Sequence, residues 1–417
     1  MAISKDIQVL RELAKKVKFI SLTDIQNERR ELWSDFNSLL TDKNPIYVLD
    51  PYVISREVFE DDLLKCEEPL LREYEYWLNI ELYHASFGDD HITEPWISVK
   101  PLYEDSDGTR KRRLWGIGNN DERYADTLAL RYEPPFIKTL DDINKIITPS
   151  IIINEEKTSE VYDKINDAIG DIIDVVLDKA PDWSYGLSSM YGRLFNPEQM
   201  HYQFYDQPEL VHSVGKLLSS EMMRLYEEYE KRGYLTNNDN TFMRWPPLQA
   251  PHYSRELPSP GERRVLKMTQ LWFRESAQEF EGVSPSMFDE FILTYTKPLM
   301  EKFGLVGYGC CENLTDRIPY LKKVKNMRRF AMTPWANDEE CAKQIEDKYV
   351  VSWRPNPSEM VMDYDPDRIK RIVRRAKKIF YEYGCHWEIN LKDFITVEYD
   401  KERVKNWVQL VRNILEE

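Results

Sequence analysis

The sequence predicts an α/β protein, a (β/α)8 TIM barrel with an N-terminal, mainly helical elaboration. Two observations carry this prediction. Strand and helix patterns alternate without interruption from about residue 264 onward, and helical periodicity dominates the first hundred residues. Strands that alternate with helices pair in parallel, with the helices as crossovers. A chain of 417 residues is long enough for one such barrel with insertions.

Residues 1–130 are predicted to be an elaboration that packs on a catalytic barrel formed by residues 131–417. Its segments "DIQVLRELAKKV" and "LLREYEYWLNIEL" carry apolar residues at helical spacing. In the barrel region, residues 161–181 have helical spacing with a proline stop, and a long helix is predicted to end at Gly233. The Pro-rich stretch 237–261 is a long loop of the kind that often carries function.

Five βα units in a row are predicted in the C-terminal part. The predicted strands are VLKMTQLWF, LVGYGCC, RRFAMTP, KYVVSWRP and HWEINLKD, each followed by a helical pattern. A barrel places its chemistry where each strand ends and its loop begins. The polar and aromatic residues that interest us at these strand ends are Cys310, Cys311, Glu312, Trp335, Trp353, Arg354 and Glu388.

Composition excludes several classes of function. The net charge of −16 repels phosphate backbones, so nucleic acid is not an expected partner. No apolar leader and no run of 18 apolar residues occurs, so neither secretion nor membrane insertion is expected. Five cysteines, an odd number, predict a reducing, cytoplasmic setting. A small-molecule substrate is expected, and a homo-oligomer is compatible with the sequence.

The adjacent cysteines Cys310 and Cys311 cannot easily bridge each other, so they are free thiols, ligands or packing groups. Thiolates, imidazoles and carboxylates at several strand ends would suit a tetrahedral zinc site with an open position. We predict Cys311 and Glu388 as ligands, completed by Cys310, Glu312 or His386. The alternative is that both cysteines are small buried residues, which is common for free cysteine.

Other strand-end side chains are candidates for binding and catalysis. Trp335 and Trp353 could line a pocket for a flat ligand or cofactor, although ordinary core packing also explains such residues. Arg354 could hold a substrate carboxylate with two parallel hydrogen bonds, and a surface ion pair is the plain alternative. Arg354 and Glu312 are the predicted catalytic residues.

Several segments between about residue 135 and the C-terminus carry a family resemblance. They are "PPFIKTLDDINKI", "YDQPELVH", "VSPSMFDEFILTYTKPLMEKFG", "GCCENL" and "FITVEYDKERVKNWV". With them the chain resembles the uroporphyrinogen decarboxylase superfamily, in the branch of cobalamin-dependent methyltransferases. The resemblance implies a TIM barrel that binds zinc and works with a separate corrinoid protein that presents cobalt.

The ligand pattern of that family is His-x-Cys with a third ligand on the last strand. Cys311 matches the cysteine and Glu388 the last-strand position, whereas Gly309 stands where the histidine would be. The resemblance therefore implies a mixed carboxylate and cysteine site, similar to that of the methyl-ether demethylating enzymes. The expected function is zinc-dependent transfer of a methyl group between a small substrate, a methyl ether or thiol, and a corrinoid protein. The alternatives are a metal-free decarboxylase or lyase, and a non-catalytic barrel that binds a corrinoid or tetrapyrrole.

Overall fold

Short parallel strands separated by helices organise the chain. The computed structural model describes residues 4–49, 51–58, 64–103, 115, 134–181, 186–237 and 248–417. The strands in these residues are β1 (Ile46–Val48), β2 (Trp96–Val99), β3 (Asp174–Leu177), β4 (Trp272–Glu275), β5 (Leu305–Tyr308), β6 (Met327–Met332), β7 (Val350–Trp353) and β8 (His386–Leu391).

The described α-helices include four in the N-terminal part, and those of the C-terminal half alternate with the strands. They are α1 (Lys5–Ser21), α2 (Asp24–Asn37), α3 (Ser55–Val58), α4 (Pro69–Ala85), α5 (Glu155–Ile169), α6 (Leu187–Phe195), α7 (Pro197–Asp206), α8 (Pro208–Lys231), α9 (Pro285–Phe288), α10 (Thr294–Met300), α11 (Ile318–Leu321), α12 (Asp338–Ile345), α13 (Pro357–Val361), α14 (Pro366–Glu382) and α15 (Arg403–Glu416). None of these described helices combines the length and the apolar content needed to cross a membrane.

Six strands form one parallel sheet in the order β1-β8-β7-β6-β5-β4, and β2 pairs with β3 in a separate parallel sheet. The last strand lies beside the first, so the larger sheet curls. The predicted α/β class and the series of parallel βα units are confirmed. Within the described residues no strand ladder joins β1 to β2 or β3 to β4, so the closed eight-stranded barrel stays a prediction.

Two aspartates cover the free edge of β1. Asp90 accepts a hydrogen bond from the Ile46 N–H at 2.8 Å, and Asp89 accepts one from the Val48 N–H at 2.9 Å. Asp89 also contacts Nε2 of His84 at 3.1 Å, and both of these side chains are buried. Because the carboxylates bind the N–H groups that a neighbouring strand would use, they end the sheet at this edge.

The N-terminal region supplies part of the sheet. β1 lies within residues 1–130, and its Ile46 pairs with Ile389 of β8. This region therefore does more than pack against the predicted barrel, because it adds a strand to the larger sheet. Helices α1, α4 and α5 pack with β2 and β3 around a second apolar cluster. The division into two units near residue 130 stays a prediction.

Two predicted elements have different bounds in the structure. The helix predicted for residues 161–181 ends as α5 at Ile169, and the segment that follows Gly170 forms β3. Its run of β-branched residues favours a strand, and short apolar runs do not distinguish strand from helix by spacing. The strand predicted for residues 265–273 begins only at Trp272.

The two faces of the larger sheet differ in chemistry. Side chains from alternate positions, such as Phe273, Val306, Phe330, Val351 and Trp387, belong to the main apolar core. The positions between them point to the opposite, concave face, because side chains alternate along a strand. That inner face combines the apolar residues Trp272, Leu305 and Val350 with several polar ones, which are Arg274, Arg329, Ser352, Arg354, Glu388 and Asn390.

Replacing Asp89 with alanine should lower the free energy of unfolding by about 3 kcal/mol, because the Val48 N–H and the His84 ring lose a buried partner. Burial opposes ionisation of Asp89, but His84 and His91 outweigh it and hold the pKa below its usual value. The stabilisation is therefore present above the pKa of unfolded aspartate and is lost as pH falls through the lower folded pKa.

Urea denaturation at neutral pH and at acid pH measures this effect. Asp167→Ala, at an exposed helical position, is the matched control and should leave the midpoint unchanged. An Asp89→Ala midpoint equal to that of the parent protein would contradict the assignment.

Candidate active site

The paired cysteines lie in the turn after β5, at the carboxyl edge of the sheet. Gly309 begins this turn with a φ of +108°, a conformation that favours glycine. A Cβ at Gly309 would lie 2.9 Å from Cβ of Ala331 and 3.0 Å from Cδ1 of Leu314. The position at which the resembled family carries a histidine ligand therefore has no room for a side chain.

Glu312 holds this turn in place. Its carboxylate accepts hydrogen bonds from the N–H of Cys310 and from the N–H of Ala277, which follows β4, both at 2.8 Å. The side chain is buried, and burial together with the negative charge of Cys310 raises its pKa. Glu312, predicted as catalytic, thus joins two neighbouring strand ends and positions the cysteines.

The two sulfur atoms lie 3.6 Å apart and both cysteines are free thiols. Cys310 is buried and Cys311 is exposed. Lys392, just after β8, places its Nζ 3.4 Å from Sγ of Cys311 and 3.8 Å from Sγ of Cys310. Asp393 contacts the same ammonium at 2.8 Å. The sequence segments that follow β5 and β8 therefore meet at one thiol centre.

The two cysteines of the thiol centre differ in how readily they lose a proton. The hydrogen bond from Cys311, followed by the charges of Lys392, Arg274 and Arg354, holds the pKa of Cys310 well below its usual value despite burial. The same hydrogen bond, with burial, raises the pKa of Cys311. We assign the thiolate to Cys310 and the proton to Cys311, because Cys311 can donate to the Cys310 sulfur and its own sulfur lies 3.8 Å from the Asp393 carboxylate.

Arg354 lies directly behind the cysteines. Its Nη1 donates a 2.6 Å hydrogen bond to the backbone carbonyl of Cys310, and its own N–H binds the carbonyl of Met332 on β6. The side chain is 2% exposed, and its Nε has no hydrogen-bond partner among the described residues. The predicted Arg354 therefore belongs to the same centre as the thiols, and it has one free donor.

An open pocket of about 510 Å³ lies beside Cys311, and it is lined by Gln278, Glu279, Glu281, Cys311 and Trp335. Trp335 is 69% exposed, as a ligand-stacking residue requires. Trp353 lies elsewhere, because its ring packs against Phe380 and Trp387 on the outer face of the sheet. The structure thus brings Trp335 to the pocket, whereas Trp353 is a core residue.

Two of the predicted metal ligands lie away from the cysteines. Glu388 is fully buried in the middle of β8, where it forms an ion pair with Arg329 and accepts a 2.8 Å hydrogen bond from Ser352. His386 begins β8 at the opposite end of the strand, and its Nδ1 contacts the Thr41 carbonyl at 3.0 Å. His386 and Glu388 lie on the same face of β8, because they pair with the alternate residues Val350 and Ser352 of β7. Both come before the carboxyl end of the strand, which is the end that lies near the cysteines.

The predicted zinc ligands therefore do not assemble into one site. Among the residues that the structure describes, no group of three or more His, Cys, Asp or Glu side chains could hold a metal ion. The ammonium of Lys392 lies beside both sulfurs, so an organic cation already contacts the two predicted thiolate ligands. The arrangement fits a thiolate stabilised by organic cations, and the residues present do not fit zinc.

Sequence reasoning missed Lys392 and Arg274. Both carry a charge at a position that alternates with apolar core residues along a short strand or just after it. Charged residues in phase with the non-core face of a predicted buried strand are the signal that could have found them.

Comparison with known proteins adds little at the level of function. No family model and no curated protein matches the sequence. Among solved structures, the chain is similar to a methyltransferase from Methanosarcina mazei, over 89% of this chain and 94% of that chain, with 10% identity and a TM-score of 0.47. A likeness this distant carries no argument about reaction or site.

Replacing Lys392 with methionine should slow alkylation of the Cys310–Cys311 pair at pH 7 by about tenfold, because loss of a close positive charge raises the thiol pKa by about one unit. The rate should recover as the pH rises, since thiolate then forms without the lysine. Mass spectrometry of iodoacetamide-treated protein measures this. Lys401→Met, at an exposed position, is the control.

The internal reference is Cys385, because burial raises its pKa to about 12. An unchanged rate at the pair in Lys392→Met would show that the lysine does not stabilise the thiolate.

Proposed function

We propose that this protein is an enzyme of methyl transfer, with the Cys310–Cys311 pair as its reacting centre. The observation that supports the proposal is the cysteine pair at the carboxyl edge of a parallel sheet, in which buried Cys310 has a lowered pKa and Cys311 lines an open pocket. A thiolate is the reactive form of cysteine and a strong nucleophile toward carbon. A soft nucleophile of this kind is well suited to methyl transfer by displacement.

The proposed step is a direct displacement. The electron pair of the Cys310 sulfur forms the S–CH3 bond, the bond from the methyl carbon to the donor atom breaks, and that electron pair leaves with the donor. A second displacement passes the methyl group to the acceptor and restores the thiolate. Lys392 keeps Cys310 ionised, and the proton on Cys311 is available to a leaving oxygen or sulfur atom.

The substrates proposed for this centre are a small methyl ether or thiol on one side and a corrinoid protein on the other. The open pocket and the exposed ring of Trp335 offer a surface on which such a partner could dock. Arg354 is buried and takes no part in that surface. With a net charge of −16, docking through exposed charges should weaken as salt rises.

A metal-free decarboxylase or lyase is the second candidate, and one observation favours it. Burial raises the pKa of Glu275 to about 8, so this carboxyl group at the end of β4 holds a proton at neutral pH. A neutral acid could protonate a carbanion left by loss of carbon dioxide. In this reading the thiols are not required for the reaction.

Cys310→Ser should abolish methyl transfer, because a serine hydroxyl stays protonated where the thiol ionises. The test incubates the protein with methylcobalamin and looks by mass spectrometry for one added CH2 unit on the peptide that contains Cys310. Cys341→Ser is the matched control, since that cysteine is buried in α12 and burial raises its pKa to about 12.

Methylation that persists in Cys310→Ser, or that falls on Cys341, would reject the proposed centre. Release of carbon dioxide from a small carboxylic acid, undiminished in Cys310→Ser, would favour the second candidate.

A further inference from the structure

The two cysteines of the thiol centre are close enough to react with each other. Sγ of Cys311 lies 3.6 Å from Sγ of Cys310, and both are free thiols. Cys310 is 8% exposed, whereas Cys311 lines the open pocket. The ammonium of Lys392 contacts both sulfurs. A cysteine beside a cation, with a second thiol next to it and access from solvent, is the arrangement found at cysteines that react with oxidants.

The remaining three cysteines are protected from oxidation. Burial raises the pKa of Cys66, Cys341 and Cys385 to about 12, so they stay protonated at neutral pH. Among the five cysteines, all of which the structure describes, only Cys310 has a pKa below its usual value. Since the thiolate is the form that oxidants attack, oxidation is expected at the thiol centre before any other cysteine.

We propose that the Cys310–Cys311 pair is a redox site that reacts with hydrogen peroxide and closes as a disulfide between the two adjacent residues. The Cys310 sulfur attacks one peroxide oxygen, the O–O bond breaks, and the departing hydroxide takes the proton of Cys311 and leaves as water. Cys311, now a thiolate, attacks the sulfur of the Cys310 sulfenic acid and displaces hydroxide, which completes the S–S bond. The two sulfurs are oxidised, and the peroxide is reduced to water and hydroxide.

The surroundings of the pair make this disulfide easy to reduce. Adjacent cysteines rarely satisfy disulfide geometry, and a strained disulfide is the more reducible kind. The backbone of Cys310 is held on both sides, because Glu312 accepts a hydrogen bond from its N–H and Arg354 donates one to its carbonyl. A reducing thiolate in the pocket can attack the sulfur of Cys311, and Cys310 is a good leaving group because its pKa is low.

Closure of the disulfide would remove the thiolate that the proposed methyl transfer uses. This consequence rests on the proposed function, whereas the oxidation itself does not. Methyl transfer should be absent from the oxidised protein and should return with dithiothreitol. A protein that forms the disulfide but transfers no methyl group in either state would reject the proposed function and leave the redox site standing.

Mass spectrometry of the tryptic peptide of residues 303–317, which contains both cysteines and no other, tests the redox site. After treatment with hydrogen peroxide this peptide should lack two hydrogen atoms and resist iodoacetamide, and dithiothreitol should restore both thiols. In Lys392→Met the disulfide should form about tenfold more slowly at pH 7, because loss of a close positive charge raises the thiol pKa by about one unit. The rate should recover as the pH rises, which a loss of folding would not allow. Lys401→Met, at an exposed position, should leave the rate unchanged.

Cys311→Ser separates the two chemical steps. It should leave a sulfenic acid on Cys310 that dimedone labels, because the second thiol is missing. In Cys310→Ser, dimedone should label Cys311 at least about tenfold more slowly, since that thiol stays protonated. Equal labelling in the two variants would overturn the assigned order of steps. A peptide that keeps both thiols in peroxide, that passes to sulfinic acid without a disulfide, or that is linked to a second chain would overturn the redox site.

Discussion

A buried thiolate surrounded by positive charge is the interaction on which the rest of this structure depends. Removing an ion from water costs several kcal/mol unless a partner of opposite charge is present. Cys310 meets this condition through Lys392, Arg354 and Arg274, which reach it from the ends or inner faces of three different strands. Their side chains place positive charge on the inner face of the sheet. The apolar core lies instead between the sheet and its helices, where Trp353 and Trp387 pack.

The position of the thiols depends on contacts between neighbouring strand ends. Glu312 joins the turn after β5 to the turn after β4, and Arg354 joins the backbone of Cys310 to β7. Gly309 lets the chain turn sharply against Ala331 of β6. The two cysteines are therefore held by the packing of four strands, and their geometry does not follow from the local sequence alone.

Buried charges recur at the other end of the sheet order. Asp89 and Asp90 bind the N–H groups of β1, and His84 lies against Asp89 in a buried contact. At the edge of β1, carboxylates take the place of a neighbouring strand. At the thiol centre, charged side chains stand where a simpler sheet has apolar ones. The edge of β1 is thereby satisfied without a further strand beside it.

The sequence by itself determined the order of the elements. Alternating apolar patterns predicted the five βα units after residue 264 and placed Cys310, Cys311, Glu312 and Arg354 at strand ends, because periodicity is a local property. Periodicity did not predict strand β3, because the short β-branched run after Gly170 has no distinctive spacing. Only the tertiary structure decided which strand-end residues meet. Glu388 and His386 lie on the same face of β8 as Lys392, which contacts the thiols. They come earlier in the strand than Lys392 and so lie farther from the strand end. Which residues reach that end is set by the register between strands that are distant in sequence.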